Sequence, residues 1–534
     1  MGSSCNACFA VVKTIDSTIR HITHSLLSLL ALGTFAQSGS LDPTFGNNGK
    51  VLVPSLGFGF NDQSRTAVVL PDDRILVAGW SNNGTHFNSV LLRFNADGSP
   101  DETFGTNGLV EHDLAAGGEF IRSAVLDAQG RLVVGGKLFY DAAETNGDMF
   151  VARFLADGTL DASFNGTGLL VRDIHNTPDA ETAYEVMVQP DGKLILCGHT
   201  GPDPESTEIV VERYLDNGGM DPTFGGDGSI LVFLADATKE QVRGAVLGPG
   251  GDIYFCGYAT LTGETHQSLL LGHLDANGNA PSNFGNANGH SWISEIGSDL
   301  IARAVALTPD GGLVVAGVKQ TTGTTQARII HTFDGNGNAI TNIYEDNTVG
   351  TDAWNCLLVQ NNGAIISGGD VADGATSRDW NVERHNADLS FDPLFATTNY
   401  DEDGEEETCY DLEFTNDSSI IGIGNAEVAG LTRIVLLKYL NDNSSSITDG
   451  DPGSQATVFP NPVADRTVLT FAHGAPKVAT LSLMDAQGHL VRNWSGRVIG
   501  KDQVELDLSG LIPGVYGMRT NEPGSWTTLR IVKQ

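Results

Sequence analysis

Positive charge is scarce in this chain: 30 Lys and Arg stand against 66 Asp and Glu, a formal net charge of −36 over 534 residues. A surface of that sign repels phosphate backbones and anionic bilayers, which argues against nucleic acid and acidic membranes as partners. The imbalance is local, because residues 458–534 hold eight Lys/Arg against six Asp/Glu and residues 1–36 are also slightly basic. Cysteine is equally sparse, with six in all, of which Cys5 and Cys8 fall in the first 36 residues. Cys197 and Cys256 share a position where other copies of a repeat carry Ala78, Gly135 and Ala316, which reads as a small buried side chain. Cys356 and Cys409 sit at unmatched positions, and although an oxidising compartment permits a disulfide, no spacing demands one. No apolar run is long enough to span a bilayer. The run Leu26–Phe35, preceded by Lys13 and Arg20 and followed by Ala36, reads instead as the core of an export signal cleaved before Gln37. Also missing are a G-x-S-x-G elbow, an H-E-x-x-H helix and a G-x-x-x-x-G-K-[ST] phosphate loop, and the His residues are scattered singly. No catalytic residue is assigned.

What the chain does have is a period. Leu41-Asp-Pro-Thr-Phe45-Gly46 recurs at Asp101–Gly105, Asp161–Phe164, Asp221–Gly225 and Pro281–Gly285, with weaker copies at Thr341–Tyr344 and Asp392–Phe395. The aromatic anchors Phe45, Phe104, Phe164, Phe224, Phe284, Tyr344 and Phe395 are separated by 59, 60, 60, 60, 60 and 51 residues. A fixed period of this length marks a repeat architecture. Between anchors, each unit holds a short apolar run such as Ala67–Leu70, a Pro-Asp or Asp-Gly turn, a β-branched return such as Arg74–Gly79, and a third run such as Val90–Phe94. The segment after each anchor, for example Lys50–Val53, supplies a fourth strand.

Seven four-stranded units predict an all-β, seven-bladed β-propeller over residues 37–443. The first anchor precedes any complete unit and the last unit ends without one. Strand Lys50–Val53 is therefore expected to pair with Ile434–Tyr439 and close the ring. The anchor rings are expected to fill wedges between blades, with the anchor Asp making an Asx-turn and the Gly a positive φ. The stretch Phe94-Asn-Ala-Asp-Gly-Ser-Pro-Asp-Glu-Thr-Phe-Gly105 resembles the delta-60 repeat of bacterial surface and secreted proteins. That resemblance implies a non-enzymatic propeller-like array and names no ligand.

Residues 444–457 have the composition of a flexible linker. Residues 458–534 alternate apolar positions with Gly/Pro turns and predict a small β-sandwich of six or seven strands. Pro460, Asn461 and Pro462, the Gly488 turn, Leu511–Tyr516 with Gly514 and Tyr516, and the basic end at Lys533 resemble the type A sorting domain of the type IX secretion system. The resemblance implies that the secretion machinery is a partner through residues 458–534. It also implies export through the periplasm of a Gram-negative bacterium to the outer surface or the medium.

Three groups are candidate sites. Arg recurs at one position as Arg65, Arg122, Arg243 and Arg303, giving way to Tyr184, Asn355 and Tyr410; in a ring these share one level. They either bond blade carbonyls or line an anion-binding mouth. Trp80, Trp354 and Trp380 fall near strand ends, as sugar-stacking faces or as packing between blades. Asp334, Asn336 and Asn338, with Glu345, match EF-hand spacing, but Ala339 replaces the sixth-position Gly, so the stretch reads as a divergent repeat turn with calcium as the alternative. The acidic run Asp401–Glu407 reads as a solvated loop. No other cofactor is expected. The functional expectation is a non-catalytic binding or adhesion module for a glycan or protein; the alternative is a propeller glycosidase or lyase using carboxylates at the mouth.

Overall fold

The computed structural model describes residues 37–441 except 57–59, 142, 144–146, 176–180, 202–205, 233, 235–236, 286–288, 322–324, 346–349, 374–376 and 403. In the C-terminal block it describes 456–459, 466–471, 480–484, 490–495, 497–498, 503–509, 511, 514–522 and 525–533. The expected export signal, almost all of the linker, and Pro460, Asn461, Pro462 and Gly488 lie outside the described residues.

The repeat folds as expected into seven antiparallel four-stranded sheets, six of them running in chain order from first strand to fourth and the seventh completed by an N-terminal strand. The first strands are Asp62–Val69, Gly118–Leu126, Thr182–Val188, Ala237–Leu247, Ser298–Leu307, Ala353–Val359 and Glu407–Phe414, which open blades 1 to 7. Among the described residues the helical content is a single 3-10 turn at Pro249–Gly251. Ring closure follows the expected route. Lys50–Leu52 is the outer strand of blade 7 and pairs with Leu431–Tyr439 in the register Lys50 to Leu437, Val51 to Leu436 and Leu52 to Val435. The Val53 amide donates to the Ile434 carbonyl, and the Gly39 amide to Leu440.

The anchors Phe45, Phe104, Phe164, Phe224, Phe284 and Phe395 are buried between blades. Each of the first five lies against the turn glycine of the next blade: Gly98, Gly158, Gly218, Gly278 and Gly337, all at positive φ, where a Cβ would come within about 3.1 Å of the ring. In four of the six junctions an arginine completes the lock. Arg153 of blade 2 donates to Asp161 at 2.8 Å, to Ser163 at 3.1 Å and to the Asp216 carbonyl of blade 3 at 2.6 Å, with its guanidinium 4.9 Å from the Phe164 ring. Arg93, Arg213 and Arg384 repeat this arrangement with Asp101, Asp221 and Asp392. Each guanidinium bonds several partners at once while lying on an aromatic face, whereas at the Phe45 anchor Lys438 stands in this position and pairs with Asp42 at 3.3 Å.

Tyr344 departs from the expected anchor role. It lies within the strand Ala339–Glu345 and is 41% exposed. In blade 5 the turn Asp334–Asn338 leads straight into this strand, so no anchor turn forms. Thr341 replaces the anchor Asp, and Thr332 stands where Arg93 or Arg153 stands elsewhere. The next blade compensates. At the turn position held by Gly98 or Gly158, blade 6 has Leu389, at φ 66 and 4% exposed, packed with Trp354, Ile330 and Leu357. A leucine in the left-handed region costs about 1 kcal/mol or more; burial of its side chain offsets that at about 1.5–3 kcal/mol.

The C-terminal block forms two four-stranded sheets, so eight strands replace the six or seven expected. Ala456–Phe459, Arg466–Phe471, Gln503–Asp507 and Arg497–Val498 make one sheet; Leu490–Ser495, Thr480–Met484, Gly514–Glu522 and Ser525–Lys533 make the other. Leu483 and Leu506 are buried, one on each sheet, and Arg492 of the second sheet donates to the Asp507 carbonyl of the first at 3.2 Å. Gly514 pairs directly with Lys533, and Tyr516 with Ile531.

Candidate functional site

The first strand of every blade contains a β-bulge at one shared position. In blade 1 Ser64 pairs with Gly79 and Thr66 with Ala78, which leaves Arg65 without an opposite residue. The same break leaves out Arg122, Tyr184, Arg243, Arg303, Asn355 and Tyr410 in the other six blades. These are the seven residues of the Arg-bearing repeat position. A bulge bends the strand and re-aims the extra side chain, and here all seven line one central cavity of ≈ 560 Å³.

A glycine on the second strand makes room for each bulge. At Gly79, Gly136, Gly198, Gly257, Gly317, Gly369 and Gly424 an added Cβ would lie 1.8–2.3 Å from a first-strand carbonyl oxygen. None of these seven has a positive φ, so close approach of two backbones is what requires glycine there. The glycine in each β-branched return is the one sequence signal that could have revealed the bulges, and it lies on the strand opposite to them.

The ring carries concentrated positive charge inside a strongly acidic protein. Arg243 donates to the Tyr184 hydroxyl and, at 3.0 Å, to Gln241; Arg303 donates to Asn355 Oδ1 at 2.5 Å. Arg65 lies 4.2 Å from the Tyr410 ring. Arg122 sits 5.6 Å from the Tyr184 ring and 5.9 Å from Trp80, and its buried Nε has no hydrogen-bond partner. Burial, and then the neighbouring Arg65 and Arg243, lower the Arg122 pKa to about 9, so it remains charged at neutral pH. Burial also lowers Arg243 and Arg303.

The carboxyls of the cavity are shifted the other way. Burial pushes Glu185 up to about 8 against a hydrogen bond from Ser123, with Asp411 adding to the rise. Asp411 is raised to about 6 by burial, opposed by the Ala67 amide, Thr66 and Arg65. Glu413 is raised well above its ordinary value by burial and by Asp411 and Glu185; Asp370 is raised by burial against Arg378 and Arg303. Near pH 7 Glu185 therefore holds its proton and leaves the guanidinium charge unmet, whereas Asp411 is mostly ionised beside Arg65.

Of the remaining sequence candidates Trp80 approaches the ring, through Arg122, and the others do not line its cavity. Trp354 and Trp380 are fully buried and Trp80 is 6% exposed, so none offers a face on which a sugar could stack. Arg328 lies 4.2 Å from the Trp354 ring, and Tyr400 packs edge-on to Trp380. Asp334 accepts the Asn336 and Asn338 amides at 2.9 Å and the Asn338 side chain at 2.9 Å, in an exposed turn that Asp275–Asn279 duplicates. Cys356 and Cys409, in adjacent blades, approach to 3.7 Å between sulfurs.

Sequence reasoning also missed an acid near the start of every first strand, at Asp62, Glu119, Glu181, Glu240, Asp299, Asp352 and Glu407. Glu119 accepts the Leu114, Ala115 and Ser89 amides, the last from blade 1. Asp299 likewise accepts the Gln267 amide of blade 4 at 2.7 Å. Its signal was an acid three or four residues before each bulge.

Two family descriptions match the chain. Residues 70–104 and 129–164 match the domain of unknown function DUF5122 beta-propeller, and residues 457–534 match the secretion system C-terminal sorting domain. The chain is thus a repeat propeller with a sorting tail, exported to the cell surface or secreted. No curated protein matches it by sequence. Among solved structures it is similar to PorZ, a bacterial surface component of the type-IX secretion system of Porphyromonas gingivalis, at 13% identity and TM-score 0.38, over 90% of this chain and 61% of that one. Virginiamycin B lyase from Staphylococcus aureus follows at 10% identity and TM-score 0.42, over 73% and 98%. Drosophila Semaphorin 2a gives 11% identity and TM-score 0.44, over 94% and 99%. This chain spans less than two thirds of PorZ, and likenesses at this level carry no functional information. No helix among the described residues is long and apolar enough to cross a membrane.

Proposed function

We propose that the exported propeller is a non-catalytic binding module that receives an anionic group of an extracellular glycan or protein on its guanidinium ring. The observation that carries this reading is Arg122 Nε, a buried donor without an acceptor, in a cavity shared with Arg65, Arg243 and Arg303. A buried charged donor left unmet costs several kcal/mol, and a carboxylate or sulfate would satisfy it in a charge-assisted bond. The acidic exterior keeps weakly held anions away, so such a site would hold a ligand that presents its anion in the cavity. A glycan array with matched neutral, carboxylated and sulfated members tests the reading. Retention of charged members alone supports it; preference for neutral glycans, or no retention of any, contradicts it.

A second reading rests on Glu185. A cavity-lining carboxyl held near pH 8 and hydrogen-bonded by Ser123 has the protonation state of a general acid, as a glycosidase or lyase would require. Turnover of an anionic polysaccharide that Glu185→Gln abolishes would replace the binding module with an enzyme.

A further inference from the structure

The acid that begins each first strand is satisfied by backbone amides in five blades, at Asp62, Glu119, Glu181, Asp299 and Asp352. Blade 7 differs. Glu407 is fully buried and neither carboxylate oxygen has a hydrogen-bond partner; the Glu402 amide approaches without reaching hydrogen-bond geometry. What Glu407 meets is more negative charge: Asp379, from the third strand of blade 6, and Asp401, just after its fourth, converge so that one oxygen of each acid lies within 4.8 Å of the others. Two oxygens bound to one calcium at about 2.4 Å lie at most about 4.8 Å apart, so one ion can touch all three.

The nearby cations are engaged elsewhere. Lys50 pairs with Glu402, and Arg378 pairs with Glu406 at 2.8 Å and Asp370 at 3.6 Å. Among the described residues neither Asp401 nor Glu407 forms an ion pair. Bringing the Asp379 and Asp401 carboxylates against buried, unpaired Glu407 is costly without a counter-charge. A comparable convergence at Asp148, Asp173 and Glu181 is already served, since Glu181 accepts the Ile174 and His175 amides and the Thr200 hydroxyl while Tyr140 donates to Asp148.

We propose that Asp379, Asp401 and Glu407 bind one calcium ion that clamps blade 6 to blade 7 beside the ring closure. An all-oxygen, carboxylate-rich site partly on a loop suits calcium, whereas magnesium demands tighter octahedral geometry and holds its water. The ion would join the third strand of one blade to the first strand of the next, and Lys50 of the closing strand contacts the same loop through Glu402.

Titration of the purified full chain with calcium chloride and with magnesium chloride, paired with thermal melting, tests the assignment. Calcium is expected to bind with unit stoichiometry, at least tenfold tighter than magnesium, and to raise the Tm by about 2–4 °C at saturation. Glu407→Gln, which keeps shape and removes charge, is expected to abolish both responses, and Asp334→Asn to leave both unchanged. No heat and no Tm shift with the unmodified protein overturns the site, as does binding that survives Glu407→Gln. Equal affinity for the two cations overturns the choice of calcium.

Discussion

Adjacent glycines in blade 2 give opposite expectations for the same substitution. At Gly135 an added Cβ meets nothing closer than 3.4 Å, the nearest atom being Val186 Cβ. Blades 1 and 5 already carry Ala78 and Ala316 there, so Gly135→Ala is expected to be neutral or stabilising by about 0.4–1 kcal/mol, through loss of unfolded-chain entropy. At Gly136 the same atom falls 2.1 Å from the Phe120 carbonyl oxygen and 2.9 Å from the Phe150 ring. The obstacle is backbone, which cannot rotate away as a side chain can. Relief requires the bulge at Arg122 to shift, and overpacking of this kind costs about 1–3 kcal/mol or more. Denaturant unfolding of the two variants beside the unmodified protein, with the slope checked for constancy, measures the difference. Gly136→Ala is expected to be less stable than Gly135→Ala by about 2 kcal/mol or more. Equal stability of the two variants would refute the claim that these glycines exist to admit the bulges.

Two other consequences follow from buried charge. Replacing Arg153 by Met leaves buried Asp161 with Arg131 alone, at 3.4 Å, and the Asp216 carbonyl of blade 3 without its donor; loss of about 3 kcal/mol is expected in the same unfolding assay, and a loss below about 1 kcal/mol would refute the lock. Stability is also expected to fall as pH rises from about 5 to 8. Burial raises Glu119 and Glu240 to about 7 and Glu185 to about 8, so their stabilising effect is complete below the ordinary carboxylate value and disappears as pH climbs through those values. On the acid side, Asp221 is held near 2 by hydrogen bonds from Thr223 and by Arg213 despite burial, so its contribution is lost only below about pH 4. A Tm profile with its maximum near pH 5 is expected; a maximum at pH 7–8 would contradict these shifts.

The scaffold was legible in the sequence because each blade repeats its solution. Seven anchors near a 60-residue period and a first anchor without a preceding unit sufficed to give the blade number and the closing strand. The misread anchor at Tyr344 shows how spacing misleads without chemistry. It kept the period but lacked both the Asp that turns the chain and the Arg that locks it, and its wedge was filled from the next blade by Leu389. The ring position was visible as a recurrent Arg, yet its geometry was not, because a bulge is recorded in a glycine on the neighbouring strand. The Glu407 site was hidden for a different reason. Its three acids come from two blades, and the run Asp401–Glu407 looks like any solvated acidic loop until burial singles out one carboxylate.

Isothermal titration of the purified protein with a carboxylated or sulfated ligand selected on the array, repeated with Arg122→Ala and Arg122→Lys, tests the central claim most directly. Binding is expected to weaken at least tenfold in the alanine variant, to recover partly with lysine and to fall with added salt. Unchanged affinity in Arg122→Ala would contradict the assignment of the bulge ring as the place where this propeller meets its ligand.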